Sequence, residues 1–123
     1  MSLPFIDPEH LCADAEGVPR LFMNLLHPTR DDVAVVGLIQ PDSGQWGLTD
    51  LQAKLVARMA VAARRSPRAA AWLYRTRCRP SQFRSVRYVD SPRHRLEVEH
   101  FSYRRALERL IKAIDRRLRA QAR

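Results

Sequence analysis

Apolar residues fall into different rhythms along this chain, and the first informative one does not alternate. In "DVAVVGLIQ", Asp32 to Gln40, the residues Val33, Ala34, Val35 and Val36 are apolar in succession, followed by Leu38 and Ile39. A strand apolar on both faces is the pattern of an interior strand, usually parallel and covered by helices above and below. Such a strand needs neighbours on both sides. "GVPRLFMNLLHP" offers one, Leu21 to Leu26, closed by His27-Pro28, with "TRDD" as the turn between them. An isolated two-stranded ribbon is marginal in water. The pattern therefore implies a sheet that these residues supply only in part.

The rhythm then changes to that of helices. Leu51, Leu55 and Met59 recur at i, i+4, i+8, with Leu48 and Val56 widening the stripe. Thr49-Asp50-Leu51-Gln52 has the form of a capping box, which predicts a helix from Thr49 to about Arg64. Ser66-Pro67 is a second start signal, a cap followed by proline, for a helix through "RAAAWLYRTR" that Arg79-Pro80 ends. "FRSVRYVDSPRHRLEVEHF" is irregular, with a short strand predicted at Leu96 to Glu99. Tyr103, Leu107, Leu110, Ile111, Ile114 and Leu118 mark one face of a terminal helix from about Phe101 to Ala120, whose other face is mostly arginine. At the front, "LPFIDPEHL" reads as an extended arm leading into a helical turn, Asp7 capping and Pro8 first.

Composition changes the picture mainly through charge. The chain has 123 residues, the size of one domain. Its net charge of +9 is uneven: eight acidic residues stand against three basic ones up to Ala57, and 19 basic against five acidic from Arg58 onward. A basic half of this kind can bind polyanions, serve as a solvated surface, or complement an acidic partner; nucleic acid is not the favoured partner on charge alone. There is no apolar run near the roughly 20 residues of a membrane span, and no secretory signal pattern is seen. Cys12 and Cys78 form no CxxC, and they read as reduced thiols of a cytoplasmic protein.

Candidate chemistry is sparse. The four glycines make neither a GxGxxG nor a GxxxxGK[ST] loop. His10, His27, His94 and His100 lie in separate segments with no metal-ligand spacing, so no metal site is expected, and His27 before Pro28 reads as a strand end. Trp46 and Trp72 read as packing anchors, and Ser43 and Ser91 have no visible base partner, so no catalytic residue is assigned. What remains is the passage from Gly37 through Gly44 and Gly47 to Thr49. Ligands of open α/β sheets lie outside the carboxyl ends of strands, and a helix start there offers free N–H groups and partial positive charge. An ordinary strand-to-helix connection is the equal alternative.

At these residues a family resemblance enters. "LFMNLLHPTRDDVAVVGLIQPDSGQWGLTDLQAKLVAR" resembles the C-terminal part of flavin-containing monooxygenases, the FAD- and NADPH-dependent class that oxygenates amines, sulfides and, in Baeyer-Villiger-like branches, ketones. In that family a strand ending in G-L-[IV]-Q-P passes through a glycine-containing loop into a helix beginning L-Q-A. "PFIDPE" resembles the arm before this strand pair, and "RYVDSPRHRLEVEHFSYRRAL" is similar to the segment before the closing helix. The likeness runs from about Pro4 to Ile114. Where the family commonly has Trp/Phe-Pro, this chain has Trp46-Gly47.

The resemblance implies an α/β fragment of a Rossmann-like flavoprotein with two dinucleotide-binding halves: two strands of a mostly missing sheet plus three helices. The chain would be one partial domain, with residues 1–47 forming the arm, strand pair and cofactor-facing loop, and 48–123 the helical part. It further implies that Gly37, Leu38, Gln40, Leu48 and Thr49 line the FAD site, with the helix start aimed at the flavin's pyrimidine carbonyl. Both family fingerprints for FAD and NADPH are absent, so the isolated chain is expected to bind neither cofactor and to turn nothing over unless another chain supplies that core. Two alternatives stand beside this: a small basic module for nucleic acid or an acidic protein, or a remnant that self-associates through its strand edges.

Overall fold

The computed structural model describes residues 6–15, 17–81, 83 and 96–121. The sequence's N-terminal arm and most of the irregular segment before Leu96 lie outside them. A 3-10 turn, Pro8–Leu11, opens the described chain, with the Asp7 carboxylate accepting from the Glu9 amide at 3.0 Å. Strand β1 is Gln40–Pro41, helix α1 Trp46–Arg65, helix α2 Pro67–Arg77, strand β2 Glu97–Val98 and helix α3 His100–Gln121. The fold is mixed α/β: three helices and a two-stranded parallel sheet in which Gln40 pairs with Glu97 and Pro41 with Val98. Parallel strands need a long crossover, and here α1 and α2 lie on it.

Three of the expected elements form almost as the sequence writes them. Ser66 caps α2, its hydroxyl accepting from the Ala69 amide at 3.2 Å, with Pro67 at the first position. Helix α3 buries Tyr103, Ala106, Leu107 and Ile114 and half-buries Leu110, Ile111 and Leu118. The short strand falls within Leu96 to Glu99, and its two residues are fully covered.

Helix α1 begins three residues before Thr49 because the capping box is not made. The Thr49 hydroxyl instead donates back to the Trp46 carbonyl at 2.9 Å, and the Gln52 amide is drawn into the core. The buried stripe of α1 is Leu48, Gln52, Leu55, Met59 and Ala62, spaced four and three residues apart. Each fully buried leucine on it contributes about 1.5–3 kcal/mol relative to exposure. Gln52 meets Tyr103 and Arg58 meets Asp115, so α1 and α3 run in the same direction. Helix α2 folds back along them after the single residue Ser66.

The expected strand pair is the main correction. Leu21 to Leu26 is not an extended strand: Met23 and Asn24 have φ of 57° and 51°, and Phe22 bridges Leu26 across the tight turn they form. A serine hydroxyl far along the chain, Ser81 Oγ, holds the Met23 amide at 2.7 Å and stabilises that turn. Asp32 to Gln40 makes one antiparallel bridge, Leu26 with Ala34, and two hydrogen bonds, His27 N to Val33 O and Val35 N to Leu25 O. Val33 to Val36 are not buried on both faces. They are half-buried or exposed, with Val36 46% exposed. The described residues place no neighbour that would make this an interior strand.

Candidate functional site

The turn from Gly37 to α1 is held by two glutamines. Gly37 has φ of 94°, a left-handed backbone that favours glycine, and nothing lies within 4 Å of where a Cβ would stand. Its N–H donates to Gln52 Oε1 at 2.9 Å, and its carbonyl accepts from Gln45 Nε2 at 3.2 Å. The turn at Gly37 is thereby fixed both to the start of α1 and to its second turn. Gln52 Nε2 donates to the Tyr103 hydroxyl at 2.7 Å, and that hydroxyl donates to the Met23 carbonyl at 2.6 Å. One buried chain of neutral groups thus ties loop, α1, α3 and the Met23 turn together.

Electrostatically, the helix starts at this end differ. Asp42 Oδ1 accepts from the His100 amide at 2.8 Å and Glu99 Oε2 from the Ser102 amide at 2.6 Å, so α3 already has two carboxylates. The bond from the Ser102 amide lowers the Glu99 carboxyl below its usual range. Helix α1 has no acidic residue in its first turn, and Gln45 makes no side-chain cap. Its first N–H groups have no intrahelical partner, as at any helix start. Space around Gly44 and Gly47 is open.

The five residues expected to line a cofactor are only partly brought together. Gly37 and the first turn of α1, which carries Leu48 and Thr49, are joined through Gln45 and Gln52. The Leu48 side chain is wholly inside the core, leaving only its backbone for a ligand, and the Thr49 amide is already bonded to the Gln45 carbonyl at 3.0 Å. Leu38 is half-buried beside Gly37. Gln40 stands in β1 opposite Glu97. Trp46 is no packing anchor: it is 89% exposed at the mouth of the turn. Gln52, Tyr103, Gln45 and Asp42 are the positions that sequence reasoning missed. The signal was there for Gln52, a polar residue at core spacing between Leu48 and Leu55.

A second polar centre lies under the other end of the loop. His27 is buried, and its Nδ1 accepts from the amides of Thr29 at 3.1 Å and Arg30 at 2.9 Å. That assigns the proton to Nε2, which faces Cys12 Sγ at 3.2 Å. Burial first, then the Arg30 and Arg77 charges, lower the imidazole pKa below its ordinary value. His27 therefore acts as a neutral brace, and both nitrogens are occupied. Arg77, with a side chain 0% exposed, donates through Nη1 to the carbonyls of His27 and Arg30 and through Nη2 to Asp31. Among the described residues no group of three or more His, Cys, Asp or Glu side chains comes together as a metal site, and no helix is long and apolar enough to cross a membrane.

No family model, no curated protein and no solved structure matches the chain.

Proposed function

We propose that the chain is the C-terminal segment of a flavin-dependent monooxygenase, an FAD- and NADPH-dependent enzyme that oxygenates a small amine, sulfide or ketone. The observation that carries the reading is the turn at "GLIQPDSGQWGLTDLQ": a glycine clamped at φ of 94° beside a helix start that has neither capping side chain nor acidic residue. These residues fit one edge of a flavin ring. The open space over Gly44 and Gly47 admits a flat group, and the free N–H groups suit a carbonyl that gains negative charge on reduction. Bound there, FAD would supply the redox chemistry, while Gly37, Leu38, Gln40 and the Leu48 backbone would orient the ring, the Thr49 amide being engaged by the Gln45 carbonyl. The chain has no loop for a dinucleotide pyrophosphate, so the Rossmann-like core must come from other polypeptide. The half-exposed Val33 to Val36 run supports this, because its apolar pattern suits a strand with sheet neighbours.

The test is to purify the chain alone and again co-expressed with the polypeptide encoded directly upstream. Alone, it should carry no stoichiometric yellow flavin and oxidise no NADPH. With a core carrying two GxGxxG loops it should co-purify with FAD, and Gly37→Val should weaken FAD retention. Tight FAD in the isolated chain, or upstream DNA with no in-frame GxGxxG segment, sinks the reading.

A further inference from the structure

At the end of the bundle remote from the glycine turn, α2 and α3 build a concentrated cationic surface. Arg68, Trp72 and Arg75 stand at i, i+4 and i+7 on α2, and so share one face. From α3, the Arg117 guanidinium lies 4.3 Å above the Trp72 ring, a cation–π stack that pins it, with Arg116 beside it. Burial, followed by the nearby charges of Arg116, Arg68 and Arg75, lowers the Arg117 pKa. No acidic residue occurs between Asp50 and Asp90. On α3 the two carboxylates are engaged elsewhere, Asp115 by Arg58 and Glu108 by Arg104. Among the described residues none of the four cations pairs with a carboxylate.

We propose that this α2–α3 face, Arg68, Arg75, Arg116 and Arg117 around Trp72, binds the phosphodiester backbone of nucleic acid without reading its sequence. The inference is independent of the monooxygenase reading. Like charges held this close cost free energy unless a counter-charge of similar density covers them. Duplex nucleic acid carries about one charge per 1.7 Å of its axis. An acidic helix shows carboxylates on one face only about once per 5.4 Å turn, a poorer match. Guanidinium forks suit phosphate oxygens in particular. A membrane surface fits less well because the most exposed aromatic side chains, Trp46 at 89% and Phe101 at 61%, stand at the opposite end, at the starts of α1 and α3.

The experiment is fluorescence anisotropy of a labelled random-sequence duplex with the full chain across a salt series. Wild type should bind at low salt, with affinity falling steeply as salt rises. The triple variant Arg68→Ala, Arg75→Ala, Arg116→Ala should bind at least about tenfold more weakly, with a log–log salt slope shallower by about 2–3. Its circular dichroism should be unchanged, since all three side chains are exposed. Arg104→Ala, which removes a cation already paired with Glu108, should bind like wild type. No duplex binding at low salt, or a triple variant with wild-type affinity and slope, overturns the proposal. So does displacement of the duplex by polyglutamate at equal charge concentration, which would indicate an acidic protein. Capture by anionic vesicles that the triple variant loses, while its duplex binding is unchanged, would indicate a lipid surface instead.

Discussion

Two buried polar centres fasten the loops of residues 21–45 to the helices, and they do so with opposite chemistry. The Gln52–Tyr103 centre is neutral: Gln52 spends its oxygen on the Gly37 amide and its nitrogen on Tyr103, which passes a hydrogen bond to Met23. The Arg77 centre is ionic, with one guanidinium serving two carbonyls and the half-exposed Asp31 while its Nε has no partner. A neutral chain with its partners in place can be closed inside a core at little cost, whereas a buried cation must be compensated and is expensive to disturb. The loop beside the glycine turn is thus held by neutral hydrogen bonds, and the loop at His27 to Asp31 by one buried guanidinium that acts chiefly on two carbonyls.

Removing the charge should break the second centre first. Arg77→Ala strands the carbonyls of His27 and Arg30 and opens a cavity beside Met59, so it should cost about 3 kcal/mol or more in denaturant unfolding. Asp31→Asn should cost under about 1 kcal/mol, because the Asp31 side chain is 55% exposed and water screens it. Equal losses for the two variants would show that the ion pair, and not the carbonyl bonds, holds the loop.

The neutral centre should fail more gently and at the other end of the pH scale. Tyr103→Phe leaves the Met23 carbonyl without its donor and should cost about 1–2 kcal/mol. Burial pushes the Tyr103 phenol above its ordinary 10.0. A raised folded pKa gives stability that is complete below the unfolded value and is lost as pH climbs past it. Wild type should therefore lose stability above pH 10, and the phenylalanine variant should lose less, as urea midpoints across alkaline pH would reveal.

The smallest effect concerns His27, whose folded pKa burial holds below the ordinary imidazole value. Here the sign reverses: its stability is present above the unfolded value and lost as pH falls toward the folded one. His27→Asn keeps an acceptor for the Thr29 and Arg30 amides while removing the titration. It should flatten the decline in thermal midpoint between about pH 6.5 and the acid limb, and a decline as steep as wild type would place the acid sensitivity elsewhere.

How much of this could be read from residues alone depends on the range of the interaction. Helix α2 was legible because Ser66 and Pro67 act on their immediate neighbours, and α3 because its apolar face repeats from Tyr103 to Leu118. The Met23–Asn24 turn was not, because what holds it, Ser81 and Tyr103, is 58 and 80 residues away. The capping box at Thr49 misled for the same reason: a local partner for Gln52 lost to Gly37 and Tyr103, each fixed by tertiary packing. Arg77 gives no local sign of burial among so many exposed arginines. Around the glycine turn, a loop running into a helix was legible from glycine placement and periodicity, although α1 starts three residues before Thr49. The two glutamines that join them were not.

The Tyr103 hydroxyl bond to Met23 also bears on how the chain is made. On a ribosome, the turn at Met23 emerges long before the residue that fastens it, and β1 likewise precedes its partner β2 by more than fifty residues. The front half cannot complete its hydrogen bonds until α3 is synthesised, and closing so long a loop has an entropic cost that only the finished core offsets. The shape of the Met23 turn is then set late, by a helix made long after it.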